Sequence, residues 1–240
     1  MRSLHFLFLV LFASPVLAAE PVHIEVGVLA NGAKFIGDKT GGAAVKIIDA
    51  ESGKVVAEGV TRGGTGDTAR IMRGERYSSV RSGDDAVFAF SLPLDEPAQF
   101  IVEAEGPLGE PQAKSHARKS VWLVPGVDRA GDGRVLLSLS GYIIRPVDVK
   151  LDDKGRGHVR VELEMLCGCP IQPSGTWDAD RIRKHAVLVM ADGTERIADL
   201  EYTGKGVTYE ARFEESAGKR SCKREWMSRE WMTTTPPASC

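Results

Sequence analysis

Short runs in which polar and apolar residues alternate recur along most of this chain, and they restrict its fold more than any other feature. The clearest run covers residues 158–165, where four apolar side chains fall on one side: Val159, Val161, Leu163 and Met165. Side chains of a β-strand point alternately to opposite faces, so this pattern is typical of a strand with one buried face. Similar runs cover residues 23–28, 44–48, 54–57, 86–92, 99–103, 120–124, 135–144, 147–151, 186–190, 196–202 and 207–213. The sequence therefore predicts an all-β protein.

Turn-forming residues separate these runs and indicate how the strands are organised. Asp49, Ser52 and Gly53 join two runs, and Asp192 and Gly193 join two others, as expected for β-hairpins. Regularly spaced short strands predict a sandwich or a small barrel. Residues 127–134 form a polar, glycine-rich linker, so we expect two β-sandwich domains in tandem, at 19–126 and 135–213. The alternation then stops, and residues 214–240 are expected to form a poorly ordered tail.

The first 18 residues have the composition of a secretory signal peptide. Arg2 supplies a positive charge, residues 4–12 are almost entirely apolar, and Val16 and Ala18 occupy the small-residue positions before a cleavage site. The apolar stretch is shorter than the roughly 20 residues that a membrane-spanning helix needs. We therefore expect an exported protein, periplasmic or secreted, without a transmembrane segment and in a compartment where disulfides persist.

The charge balance and the catalytic motifs narrow the classes of function. Thirty-one Lys and Arg residues against 33 Asp and Glu residues give a net charge of −2, whereas a nucleic-acid-binding protein would carry a basic footprint. The Gly-x-Ser-x-Gly and His-Glu-x-x-His motifs of hydrolytic enzymes do not occur in the sequence. The sequence favours a non-enzymatic binding or accessory protein, whose partner is another exported protein or a small ligand.

The segment Cys-Gly-Cys-Pro is the least generic stretch of the chain. Cys167 and Cys169 directly follow a predicted strand, and Gly168 between them gives the backbone the freedom to bend. The two thiols can therefore face one small volume and form a disulfide with each other. Cys222 and Cys240 are also available, so pairings of either thiol with these two cysteines remain open.

A soft-metal site or a redox role is the alternative for the same segment. Two thiolates from Cys167 and Cys169, with the thioether of Met165, would suit Cu(I). Addition of His158 or His185 would suit zinc instead. The sequence thus leaves open a copper-handling or thiol-handling protein.

A second candidate site follows in the segment Trp-Asp-Ala-Asp. Trp177 beside Asp178 and Asp180 could bind a sugar, a surface or a cation, and this predicts a carbohydrate-binding or surface-binding module as a further alternative. In the structural interpretation, Trp177 packs over a domain edge, Asp178 caps a turn and Asp180 pairs with Arg181.

The first half of the chain resembles known modules of exported bacterial proteins. Residues 45–49 followed by 53–56 are similar to a hairpin of transthyretin-like and immunoglobulin-like modules. The resemblance spans roughly 100 residues and implies a β-sandwich fold, with no activity attached. The Cys-Gly-Cys-Pro and Trp-Asp-Ala-Asp segments look like a signature of an exported bacterial family, again without a function.

Overall fold

A computed structural model describes residues 21–73 and 83–214 of the chain. Strands dominate these residues, which confirms the all-β prediction. The predicted signal peptide lies outside the described residues, as does the predicted tail after residue 214 with its two cysteines, Cys222 and Cys240.

Most described strands coincide with a predicted run. The strand at Ser115–Leu123 begins five residues before its predicted run, and no run predicted the short strands at Ile171–Gln172 and Trp177–Asp178. The described strands are β1 (Pro21–Ala30), β2 (Ala44–Asp49), β3 (Val55–Val60), β4 (Val87–Pro93), β5 (Ala98–Gly106), β6 (Ser115–Leu123), β7 (Val135–Leu139), β8 (Tyr142–Leu151), β9 (Gly157–Met165), β10 (Ile171–Gln172), β11 (Trp177–Asp178), β12 (His185–Val189), β13 (Glu195–Asp199), β14 (Glu201–Tyr202) and β15 (Thr208–Phe213). One short α-helix, α1 (Thr68–Arg73), occurs in the described residues, together with 3-10 turns at Asp38–Thr40, Pro111–Ala113, Gly131–Gly133 and Ala179–Arg181.

Two sheets are built mainly from the first half of the chain. One is antiparallel, in the order β3-β2-β5-β6. The other has the order β4-β1-β7, where β1 is antiparallel to β4 and parallel to β7. Their alternating side chains supply buried residues such as Val26, Val28, Ile47 and Val102. The predicted alternation therefore gives each of these strands a face that packs into the core.

The run predicted at 135–144 is interrupted in the structure. Gly141 has a φ of +138°, a backbone conformation that residues with a Cβ rarely adopt. This glycine separates β7 from β8, which belong to different sheets. β7 pairs with β1 from Val26 opposite Val135 to Ala30 opposite Leu139. This pairing spans the predicted linker at 127–134.

The third sheet is antiparallel and has the order β14-β15-β9-β8. Val161 and Leu163 of β9 lie on its apolar face with Tyr209 and Ala211 of β15, and all four are buried. A separate hairpin pairs β12 with β13, and β10 pairs with β11 in parallel.

The buried side chains of the two halves belong to one continuous core. Val22 and Leu139 from the first sheets and Leu163 and Ile171 from the later elements are members of the same cluster. Division into two sandwich domains stays a prediction. Within the described ranges, no helix has the length and apolar character needed to cross a membrane.

Candidate functional site

The outer face of the third sheet carries a row of charged side chains. Because residues two apart on a strand share a face, His158, Arg160 and Glu162 lie on the side of β9 opposite to its apolar residues. β15 places Glu210 opposite Arg160 and Arg212 opposite His158. Two neighbouring strands therefore bring five ionisable side chains together on one surface.

Glu210 joins two arginines at the centre of this surface. Its Oε2 accepts from Nε of Arg160 at 2.5 Å, and its Oε1 accepts from Nε of Arg212 at 2.6 Å. The Glu210 side chain is only 10% exposed, whereas that of Arg212 is 74% exposed. Hydrogen bonds from Arg160 and then Arg212 lower the pKa of the Glu210 carboxyl from its usual value. The carboxylate therefore stays ionised and accepts a hydrogen bond from both guanidinium groups.

These residues line an open cleft of about 1020 Å³. Its walls come from β13, β14, β15 and the turn before β15, with Val147 and Arg160 contributed by β8 and β9. The side chains of Lys, Arg, Asp and Glu that line it are Arg160, Lys205, Arg212, Asp199, Glu201, Glu210 and Glu214. Three cations and four carboxylates give the cleft a mixed charge, which suits a polar ligand with charged groups of both signs.

A second ion pair flanks the cleft on the same face. Asp148 of β8 lies opposite Arg160 in the ladder, but its Oδ2 is 3.0 Å from Nε2 of His158 and 3.5 Å from Nζ of Lys150. The hydrogen bond with His158 is the main cause that lowers the pKa of Asp148. His158, a predicted zinc ligand, is therefore engaged by a carboxylate on this outer face.

A third network lies toward the other end of β8. Arg145 donates from Nε and Nη2 to Oε1 of Glu110, at 2.9 and 2.6 Å, and from Nη1 to Glu164 at 2.7 Å. The hydrogen bond from Arg145 is the largest cause that lowers the pKa of Glu110. Lys39 Nζ lies 3.8 Å from Glu164, so the network reaches the 3-10 turn of the first half.

The predicted cysteine site forms a tight turn after β9. Cys167 and Cys169 are paired as a disulfide, with their Cα atoms 5.4 Å apart. The amide of Gly168 donates to the carbonyl of Met165 at 2.7 Å, and Lys39 Nζ donates to the carbonyl of Gly168. Cys167 is 0% exposed and Cys169 is 4% exposed. Of the pairings left open by the sequence, the structure has the one between these two neighbours.

The metal-site prediction is not supported by the arrangement of possible ligands. Across residues 21–73 and 83–214, no group of three His, Cys, Asp or Glu side chains is placed to hold a metal ion. His185 is exposed at the start of β12. The sulfurs of Cys167 and Cys169 would have to be reduced before they could bind a metal. Their use with Met165 as copper ligands stays a prediction.

The predicted Trp-Asp-Ala-Asp site is engaged in local contacts. The indole N–H of Trp177 donates to the carbonyl of Gly32 at 3.0 Å. Oδ1 of Asp178 accepts from the amides of Asp180 and Ser174 at 3.0 and 3.1 Å, and these two hydrogen bonds, that of Asp180 first, lower the pKa of its carboxyl. Asp178 is thus the cap of a turn, and Oδ2 of Asp178 is 3.9 Å from Nε of Arg181. A role of this segment in carbohydrate binding stays a prediction.

The residues that form the cleft were not identified from the sequence, although a signal was present. The strict alternation of 158–165 places Arg160 on the face opposite Val161, and the alternation of 207–213 does the same for Glu210 and Arg212. The missing information was the pairing of β9 with β15, since the two strands are about 40 residues apart. Only their register brings the three side chains together.

Comparison with known proteins adds no family to this description. No protein-family model matches the sequence, and a search of curated proteins finds no match. The side chains of the cleft and of the cysteine turn therefore carry the functional interpretation.

Proposed function

We propose that this protein is an exported, non-enzymatic binding protein that holds a polar segment of another exported protein in the cleft on the third sheet. The observation that carries the proposal is the fixed arrangement of Arg160, Glu210 and Arg212 in an open cleft of about 1020 Å³. Side chains already held in place lose little conformational freedom when a ligand binds, which favours affinity. Export rests on the signal peptide predicted from the sequence.

The mixed charge of the cleft supports a peptide segment as the ligand. Lys205 on the turn before β15 is exposed, while Glu201 on β14 faces the same opening. A segment with both acidic and basic side chains would match both, and complementary charges favour the correct partner over others. Val147 and Ile197 add exposed apolar contacts at the edge of the cleft.

Site-specific photo-crosslinking in cells of the source organism tests the proposal. A benzoyl-phenylalanine side chain at Lys205 should give one discrete adduct with an exported protein, detectable by mass spectrometry. The matched control is Lys154, an exposed lysine in the turn between β8 and β9 that does not line the cleft. Adducts of equal yield at both positions, or none at Lys205, would contradict the proposal.

Thiol or copper handling is a second candidate, favoured by the pairing of two sulfurs two residues apart. Dithiothreitol reduces the Cys167–Cys169 bond to two thiols and is itself oxidised to its cyclic disulfide. The reduced pair should then take one equivalent of Cu(I) from a competing chelator, because two thiolates and a thioether suit this soft ion. Cys167→Ser should abolish the uptake while Cys222→Ser retains it. Absence of uptake by the reduced protein would remove this candidate.

A further inference from the structure

We infer that Arg160 and Arg212 form a subsite for a carboxylate of the bound segment, an acidic side chain that is seated between the two guanidinium groups. The inference rests on the proposed function, since it names the chemistry by which the cleft recognises its ligand. The subsite consists of one guanidinium on β9 and one on β15, joined by Glu210.

The geometry leaves the ends of both guanidinium groups available. Each arginine contacts Glu210 through Nε, at 2.5 Å for Arg160 and 2.6 Å for Arg212. In the part of the chain that the structure describes, neither arginine has a hydrogen bond through Nη1 or Nη2 to another residue. Guanidinium groups bind carboxylates through such paired N–H donors. Both arginines line the open cleft, so a ligand can reach these donors.

The charge of the subsite favours an anion. Two guanidinium groups and one carboxylate leave one net positive charge on the group formed by Arg160, Glu210 and Arg212. Asp148, an acidic side chain on the same face, has a cation beside it, since its Oδ2 lies 3.5 Å from Nζ of Lys150. Glu162 lies 3.6 Å from Arg145, a guanidinium that it shares with Glu110 and Glu164. Both carboxylates therefore have a cation beside them other than Arg160 and Arg212.

The rim of the cleft adds a second requirement. Asp199, Glu201 and Glu214 line the opening around the subsite. A ligand with negative charge alone would meet repulsion from these carboxylates, whereas an acidic side chain next to a basic one satisfies both regions. The ligand expected at this subsite is therefore an acidic residue within a mixed-charge peptide, rather than a polyanion.

Nuclear magnetic resonance of the purified full chain tests the subsite. The probe is the peptide acetyl-Glu-Lys-Glu-amide. Its match is acetyl-Gln-Lys-Gln-amide, which keeps the lysine and lacks both carboxylates, and inorganic phosphate is a second anion, all at constant ionic strength. Saturable shifts of the Nε–H signals of Arg160 and Arg212 are expected with the acidic peptide alone. The inference would be overturned if the glutamine peptide caused shifts as large as those caused by the acidic peptide. It would also be overturned if phosphate saturated the site and the acidic peptide did not.

Two variants and one control give the test its specificity. Arg212→Gln, at a mostly exposed side chain, should weaken binding of the acidic peptide by about tenfold or more, because a charged hydrogen-bond pair is lost. Arg160→Gln should have the same effect. Arg118→Gln removes an arginine paired across strands with Glu103 at 3.5 Å on another sheet, and it should change the affinity less than twofold. Equal affinity for all three variants would overturn the inference.

The outcome also separates this inference from the proposed function. If the Lys205 adduct forms equally well in Arg212→Gln, the cleft binds a partner but the arginines do not recognise it. If the acidic peptide binds at the arginines and no adduct forms at Lys205, the subsite exists and the proposed function fails.

Discussion

The indole N–H of Trp177 donates a hydrogen bond to the carbonyl of Gly32, at 3.0 Å and across 145 residues of sequence. Trp177 lies on β11, whereas Gly32 lies in the turn that follows β1. The contact joins the two halves of the chain. Thr40 makes a second such contact, because its hydroxyl donates to the carbonyl of Leu166 at 3.1 Å. The junction between the halves is therefore polar as well as apolar.

Trp177→Phe should lower the free energy of unfolding by about 1 kcal/mol, because it removes one hydrogen bond and keeps an aromatic ring. Urea unfolding followed by circular dichroism measures the change. Trp122→Phe is the control, since Trp122 is exposed on β6 and donates no hydrogen bond within the described residues. A loss of the same size in both variants would show that the contact with Gly32 contributes nothing.

Loss of the ion pair between Asp85 and Arg134 should lower the free energy of unfolding more than loss of an exposed ion pair. Its side chains are 2% and 1% exposed, and Arg134 Nη1 lies 3.1 Å from Oδ2 of Asp85. Asp85→Ala leaves a buried guanidinium without its carboxylate, which should cost about 3–5 kcal/mol. Arg62→Gln breaks an exposed pair with Asp38 at 3.6 Å and should cost less than about 1 kcal/mol. Equal losses in urea unfolding would contradict this ranking.

Lowering the pH should reduce the contribution of Arg145 to the free energy of unfolding. The pKa of the Glu110 carboxyl is lower in the folded protein than in the unfolded chain. Its ionised form therefore stabilises the fold at any pH above the pKa that Glu110 has in the unfolded chain. That stability is lost as the pH falls through the folded-state pKa. Arg145→Gln should therefore cost about 1–3 kcal/mol at pH 7, and the difference from the unmodified protein should shrink as the pH falls below about 4.3, where a Glu carboxyl titrates in an unfolded chain.

Unfolding curves for both proteins over this pH range check the prediction. Arg118→Gln serves as the control, because its exposed pair with Glu103 should give a small difference at every pH. A cost for Arg145→Gln that stays constant down to acidic pH would show that Glu110 is not the group concerned.

Two glycines have the same φ angle, so replacing each by alanine allows the cost of backbone strain to be measured separately from the cost of steric crowding. Gly168 and Gly53 both have a φ of +70°, but a Cβ at Gly168 would lie 3.0 Å from Cδ and Cε of Lys39, whereas one at Gly53 would meet nothing within 4 Å. Both Gly→Ala variants should lose about 1 kcal/mol from the backbone, with a further loss only at Gly168. Thermal unfolding measures the two losses. Losses of equal size at the two positions would show that Lys39 does not crowd the added methyl group.

The sequence predicts most strands because polar and apolar side chains alternate along them. The alternation at 158–165 becomes β9, and that at 207–213 becomes β15. The split at Gly141 was missed, since a glycine between apolar residues does not reveal its φ. Pairing between distant strands was missed for a related reason, because alternation defines the faces of a strand and leaves its neighbours open.

The same difficulty, that the pairing of distant strands cannot be predicted from local patterns, applies to the candidate sites. The bond between Cys167 and Cys169 was among the sequence predictions because the two residues are adjacent to one glycine. Arg160, Glu210 and Arg212 were not predicted to form a site, although each lies on a correctly predicted strand. Their proximity depends on the register of Arg160 against Glu210. Local patterns thus locate sites within one turn more readily than sites assembled across a sheet.

The parallel pairing of β7 with β1 has a practical consequence for dissecting the chain. A recombinant fragment that stops at residue 126 would expose one long side of β1, from Val26 to Ala30, with backbone groups that β7 normally satisfies. Such an edge invites self-association of the fragment. An expression boundary placed after Leu139 would keep this neighbour, but it would still expose the core residues of the first half that share a buried cluster with Leu163 and Ile171.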